Sequence, residues 1–281
     1  MLDSAYADYN RMPGIRWTVL AAMAKSPAHY VLEVARVSSP DVKETEDRRL
    51  GRAIHCLTLE GDDVFGRRWV SYEGTRDKRH AKYQAFLAEH PGAEVLSVKE
   101  MRLVKGMARS LQRHPVVIRY LETGVREAPL TWRDVPTGLQ CKARPDLLTP
   151  HRLLDLKSGQ RMDEFGFTQT AQRLGYHCQM AHYMDGLLAN GWNGSQEPIL
   201  LGVEKTDPFD VVPYEMPHAI LMQGRRIVRR LLDRVAECDQ RGEWPGRAPH
   251  DVVRLNSAVE WRFAGMYDDL SDLDMSGLER E

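Results

Sequence analysis

A short apolar run, residues 153–157, follows the segment 139–148 across Thr149-Pro150-His151, and this pattern constrains the fold more than any other stretch of the chain. Runs of this length bounded by a proline turn read as strands, and at this separation they read as an antiparallel pair. In a strand, side chains i and i+2 project to the same face. Asp155 and Lys157 therefore project together, with Leu156 directed into the core. The pairing brings Asp146, the last residue of Arg144-Pro145-Asp146, close to Asp155. Two neighbouring carboxylates suit a hard divalent cation such as Mg2+, which takes oxygen ligands and keeps part of its water shell. An ammonium beside them can polarise an attacking water or offset charge on a phosphate. The three groups together point to metal-dependent phosphodiester hydrolysis, whereas a lone Asp-x-Lys is usually a solvated charge pair.

The chain has 281 residues, 42% of them hydrophobic and 28% charged, enough to bury a sizeable core and too apolar for disorder. One domain is expected over residues 1–265, with a helical cap over about 10–115 and a core over about 116–245. An acidic tail, residues 266–281, follows as a flexible or partner-contacting segment. The net charge of −1 announces no polyanion partner, but the charge is uneven. Residues 67–82 carry Arg67, Arg68, Arg76, Lys78, Arg79 and Lys82 against Glu73 and Asp77, and a local basic surface can still engage phosphates. Cys56, Cys141, Cys178 and Cys238 are scattered, with no Cys-x-x-Cys pair. With no signal peptide and no apolar run long enough for a bilayer, a reduced cytoplasmic location without membrane contact is expected.

Periodicity predicts helices over residues 14–35, broken at Ser26-Pro27, over 43–60 with Leu50, Ala53, Ile54 and Leu57 on one side, and near 79–90 and 98–113. The polar, basic stretch 71–82 reads as a mobile loop. Strands are expected at 127–132, 139–148 and 153–157, then a helix over 168–189, strands at 199–204 and 211–215, and a long helix over 217–239. That order implies an α/β class with a mixed central sheet flanked by helices.

Other residues bear on the acid pair. His55, one turn after Gly51 (read as a site of close helix packing), is either a histidine satisfied in a packed helix or a metal ligand, and an imidazole there would suit Mn2+ as well as Mg2+. Gln179 and Tyr183, four apart, share a helix face with Tyr176 and Leu187, either as a polar interruption of a core stripe or as groups aimed at the site. Glu127, at the head of the first strand, is a third carboxylate or an edge-strand charge. Arg76, Lys78, Arg79 and Lys82 could grip a DNA backbone or line a solvated loop.

Taken in order, Gly-x-x-x-His on a helix, Pro-Asp, Asp-x-Lys, and Gln-x-x-x-Tyr on the next helix resemble the PD-(D/E)XK nuclease superfamily in its RecB-like branch. The likeness is greatest to RecE-type exonucleases (exonuclease VIII) and their phage relatives. It is carried by Leu50-Gly51-Arg52-Ala53-Ile54-His55-Cys56, Cys141-Lys142-Ala143-Arg144-Pro145-Asp146, Leu154-Asp155-Leu156-Lys157-Ser158, and Tyr176-His177-Cys178-Gln179 through Tyr183. The resemblance implies a Mg2+-dependent exonuclease that degrades one strand from double-stranded DNA ends, 5′ to 3′, as a ring-shaped homo-oligomer feeding a single-strand annealing protein. It also implies that His55, Asp146, Asp155 and the Leu156 carbonyl ligate metal, that Lys157 activates water, and that Gln179 and Tyr183 support the site. Some RecB-like relatives hold an iron–sulfur cluster through three downstream cysteines; here only Cys238 lies well downstream.

Overall fold

The computed structural model describes residues 9–39 and 45–248; the acidic tail falls outside the described residues. Helix α1 (Trp17–Leu20) runs into a 3-10 turn, and α2 (Pro27–Ser38) starts afresh because Ser26 caps it and Pro27 occupies its first turn. Helix α3 (Glu46–His55) is capped by Thr45 and continues as a π-helical turn over Cys56–Glu60. Next come α4 (Asp62–Arg68), β1 (Trp69–Tyr72), α5 (Ala81–Glu89), β2 (Glu94–Ser97), α6 (Val98–Arg113) and α7 (Pro115–Thr123). The core elements are β3 (Val125–Arg126), β4 (Leu130–Arg133), β5 (Gln140–Ala143), β6 (Leu147–Leu148), β7 (Leu153–Gly159), α8 (Glu164–Leu174), α9 (Tyr176–Ala189), β8 (Ile199–Glu204), β9 (Val211–Glu215) and α10 (His218–Arg241).

The central sheet has the order β3-β6-β7-β8-β9, with β7 and β8 parallel and the other pairs antiparallel. It is mixed and flanked by helices, as the sequence pattern implied. Its middle strand separates two apolar cores. Leu153 and Leu200 join the core built with α1, α9 and α10. Leu154, Leu156, Ile199, Leu201 and Val203 join the one built with α3 and α6. Full burial of a leucine is worth about 1.5–3 kcal/mol, so Leu154 and Leu156 fix the face of β7. A slip of one residue would drive Asp155 and Lys157 into the α3–α6 core.

Several expected elements divide. Residues 127–132 do not form one strand: β3 ends at Arg126, Glu127 takes a positive φ of 51°, and Pro129 has no N–H for a ladder. Residues 139–148 split at Pro145. The first half, β5, pairs with β4, and only Leu147 and Leu148 pair with β7. The helix expected over 168–189 is two, α8 and α9, divided at Gly175, whose φ of 69° is left-handed. The basic stretch 71–82 begins within β1, which pairs in parallel with β2; strands of four residues are too short for periodicity to betray. Gly51 does not serve close packing, because a Cβ there would meet nothing within 4 Å. No helix among the described residues is long and apolar enough to cross a membrane.

Close packing without a side chain occurs instead at Gly224 on α10, where a Cβ would lie 2.2 Å from the His177 carbonyl oxygen at the start of α9. Gly224→Ala is expected to cost about 1–3 kcal/mol through overpacking. Thermal unfolding checks this, and a melting temperature equal to that of the wild type would contradict the close contact of α9 and α10.

Candidate active site

The end of β6 creates the site. Because Pro145 breaks the run, β6 covers β7 only as far as Leu154, and the next residues of β7 have no strand on that edge. The backbone groups of Leu156 are satisfied there by side chains. Its N–H donates to Asp146 Oδ2 at 2.7 Å, and its carbonyl oxygen lies 3.2 Å from His55 Nε2. The other imidazole nitrogen, Nδ1, is 3.3 Å from Asp146 Oδ1. Both ring nitrogens thus face oxygen acceptors, which only the doubly protonated imidazolium satisfies.

His55 is positioned by α3, whose Leu50, Ala53 and Ile54 are buried against the α3–α6 core. The π-helical turn begins immediately after it, and such turns are frequent at functional sites. Glu127 arrives from the break between β3 and β4. Its N–H donates to the Asp146 carbonyl oxygen at 3.0 Å, and Arg144 Nε lies 2.8 Å from Glu127 Oε2. One ligand atom from each of His55, Glu127 and Asp146 can be chosen so that all lie within 4.8 Å of one another. Two carboxylates and an imidazole at this spacing fit a divalent cation such as Mg2+ or Mn2+, and the Leu156 carbonyl oxygen beside them adds a hard donor.

Beside this cluster, Asp155 and Lys157 project together from the face of β7 opposite the Leu156 side chain, as the two-residue spacing predicted, and form an ion pair. Lys157 Nζ also donates to Gln179 Oε1 at 2.9 Å and sits 4.6 Å from the centroid of the Tyr176 ring. The Gln179 amide nitrogen donates to Tyr183 Oη at 2.9 Å and approaches Asp155 Oδ1 at 3.4 Å. The helix spacing therefore brings Gln179 and Tyr183 together beside Asp155 and Lys157. The basic residues Arg76, Lys78 and Arg79 lie elsewhere, between β1 and α5, and Lys82 lies in the first turn of α5. Arg76 is held by the Val95 carbonyl oxygen and Glu100, Arg79 pairs with Asp77, and Lys78 and Lys82 are exposed. Sequence reasoning gave no role to Arg144 or to the ring contact of Tyr176; the alternation of Lys142 and Arg144 within an apolar run was the available signal for the first.

Electrostatics follow from this crowding. Burial opposes a charged His55, but the charge and hydrogen bond of Asp146, with Glu127 and Asp155 beyond, outweigh it and lift the imidazole to about 9. Glu127 is pushed up to about 7 by burial and then by the Asp146 charge. Asp155 rises to about 6, chiefly by burial, against the pull of Lys157. Asp146 stays below the usual carboxylate range because His55 overrides its burial. Lys157 is held above its ordinary value: burial lowers it, and Asp155 and Asp146 more than compensate.

Fold and site together define a PDDEXK-like protein. Residues 17–254 match the family model described as "PDDEXK-like domain of unknown function (DUF3799)", and the chain belongs to that family. A crystal structure from Eubacterium rectale, described as a "Putative exonuclease", shares the fold with a TM-score of 0.60 at 14% identity, over 90% of this chain and 92% of that one. No curated protein matches.

The shifts predict how a cation binds. His55, raised from 6.5 to about 9, and Glu127, raised from 4.5 to about 7, both favour the protonated folded state. Their stabilisation is present at low pH and fades as pH climbs through about 7 and then about 9. A cation needs both groups deprotonated, so it competes with those protons. Mn2+ affinity is expected to increase from pH 6 to pH 8, by about tenfold per pH unit for each proton released. Calorimetry in buffers of different ionisation enthalpy counts the protons, and affinity independent of pH would contradict this ligand set.

Proposed function

We propose that the chain is a divalent-metal-dependent exodeoxyribonuclease that hydrolyses phosphodiester bonds from the ends of double-stranded DNA. The observation that carries this reading is the convergence of His55, Glu127 and Asp146 with the Leu156 carbonyl, directly beside the Asp155–Lys157 pair. A cation held by those ligands would supply Lewis-acid polarisation of the scissile phosphate. Asp155, buried and flanked by Gln179, holds Lys157 by its charge, while the Tyr176 ring lies against the ammonium. With its proton affinity raised, Lys157 acts as an ammonium: it donates a hydrogen bond to the attacking water or to a phosphate oxygen. Gln179 orients it through a direct hydrogen bond, and Tyr183 fixes the Gln179 amide in turn.

The RecE likeness supports the finer parts of the proposal: 5′ to 3′ polarity, a ring-shaped homo-oligomer, Mg2+ as the working ion, a single-strand annealing protein as partner in phage-type recombination, and a cytoplasmic setting. Lys78, Arg79 and Lys82 are exposed and suited to duplex phosphates, while Arg76 braces that segment from beneath.

With Mg2+, linear duplex is expected to be degraded and closed circular duplex left intact, and EDTA to stop the reaction. Equal cutting of both substrates would replace the exonuclease with an endonuclease sharing this site. Asp155→Ala and Lys157→Ala are each expected to lower kcat on the order of a hundredfold or more, while DNA binding persists and weakens steeply with salt. Unaltered degradation by Lys157→Ala would leave a DNA-binding protein whose chemistry lies elsewhere.

A further inference from the structure

Residues 9–16 lead into α1, with Ile15 bridged in parallel to Cys141 of β5, and several contacts hold them there. Ile15 N–H donates to the Gln140 carbonyl at 2.9 Å, and Lys142 N–H donates back to the Ile15 carbonyl at 3.1 Å. Gly14 lets the chains approach: its φ is +132°, and a Cβ there would lie 2.8 Å from the Cys141 carbonyl carbon. His182, fully buried and pushed down to about 4 chiefly by burial, stays neutral, with Nε2 lying 3.2 Å from the Ile15 carbonyl and 3.3 Å from that of Lys142. The Lys142 side chain is only 6% exposed as a residue, and its ammonium donates to the carbonyls of Tyr9, Asn10 and Met12 at 3.1, 3.3 and 2.6 Å. Three donors meet three main-chain acceptors, so the buried charge is hydrogen-bonded by the very segment it fastens.

The side chain this anchoring delivers is Tyr9, buried at 7% exposure. Its ring centroid is 5.0 Å from Lys142 Nζ and 5.4 Å from Arg144 Cζ. Arg144 is the residue paired with Glu127. We infer that Tyr9 is a positioning residue of the metal site: its ring holds the Arg144 guanidinium in the orientation from which Arg144 holds Glu127 toward His55 and Asp146. Glu127 needs such a brace, because it sits at a positive φ in a strand break and its flexible side chain must meet two ligands from other elements. A guanidinium offers one planar edge to a carboxylate and one face to an aromatic ring, which a lysine cannot do. The inference rests on the reading of His55, Glu127 and Asp146 as metal ligands.

Mn2+ binding by calorimetry on the full chain tests it without recourse to catalysis. Tyr9→Phe keeps the ring and is expected to bind Mn2+ within about twofold of the wild type, whereas Tyr9→Leu is expected to lose about tenfold or more, the usual penalty for removing an outer-shell partner. Arg144→Lys leaves Tyr9 in place and is expected to weaken Mn2+ similarly, which keeps the test decisive even where Tyr9→Leu does not fold. A purely structural Tyr9 would lower the melting temperature of Tyr9→Leu and leave its Mn2+ affinity unchanged, and an unchanged affinity of Arg144→Lys would show that the guanidinium through which Tyr9 acts holds nothing; either result overturns the inference. Equal weakening by Tyr9→Phe and Tyr9→Leu would also overturn it, since the hydroxyl rather than the ring would then matter. Absence of Mn2+ binding by the wild type would bring down the metal-site reading itself, and this inference with it; binding by the wild type with unchanged variants brings down only the role of Tyr9.

Discussion

Everything at this site hangs on the main chain of Leu156. A strand residue in the middle of a sheet normally spends its N–H and carbonyl on a neighbouring strand. At Leu156 the neighbour has ended, because Pro145 confines β6 to two residues. An exposed edge of this kind is a liability for aggregation and must be covered. Here Asp146 covers the donor and His55 covers the acceptor, so the two side chains that satisfy the backbone are the same two that the proposed function assigns to a cation. The Leu156 side chain, buried at 3% exposure in the α3–α6 core, keeps the arrangement from twisting away. Backbone satisfaction, core packing and ligand placement are one constraint at this residue.

The same crowding explains why the ligand set is stable before any cation arrives. Asp146, Asp155 and Glu127 are three acids in a half-desolvated space, and neutralisation comes from an imidazolium, an ammonium and the Arg144 guanidinium. Buried charges of one sign are tolerated only when compensated. Under the proposed function, a divalent cation would take over the compensation that protonated His55 provides, which would tie binding to pH. Lys157 is held by Asp155, Gln179 and the Tyr176 ring, and under the proposed function its charge would face a substrate phosphate.

Much of the fold could be read in advance because it follows short-range rules. The parallel partner of β7, residues 199–204, and the strand at 211–215 stand out as apolar runs, and the two-residue spacing of Asp155 and Lys157 fixes their shared face. What stayed hidden is long-range. His55 reaches the Leu156 carbonyl across 101 residues of sequence, and periodicity can place it on a helix face without saying which strand that face meets. Pro145 marks a break that strand periodicity does not register: it divides residues 139–148 and leaves the edge of β7 open beside Leu156. Glu127 could be read equally as an edge charge, because a positive φ at a glutamate leaves no compositional mark. Tyr9 carries no local signal, since its contacts are with a lysine and an arginine more than 130 residues away.

Because the sheet divides the interior in two, each core owns a different part of the site. The α3–α6 core presents His55 and receives Leu156, while the core around α9 and α10 presents Gln179 and Tyr183 to Asp155 and Lys157. The first half is further braced by Glu100, a 5% exposed carboxylate at the start of α6 that accepts from Arg49 on α3 and from Arg76 in the basic segment. Arg76 therefore couples the 76–82 stretch to the helix that carries His55. The basic segment lies away from the candidate ligands, yet one buried carboxylate joins it to the helix that carries His55.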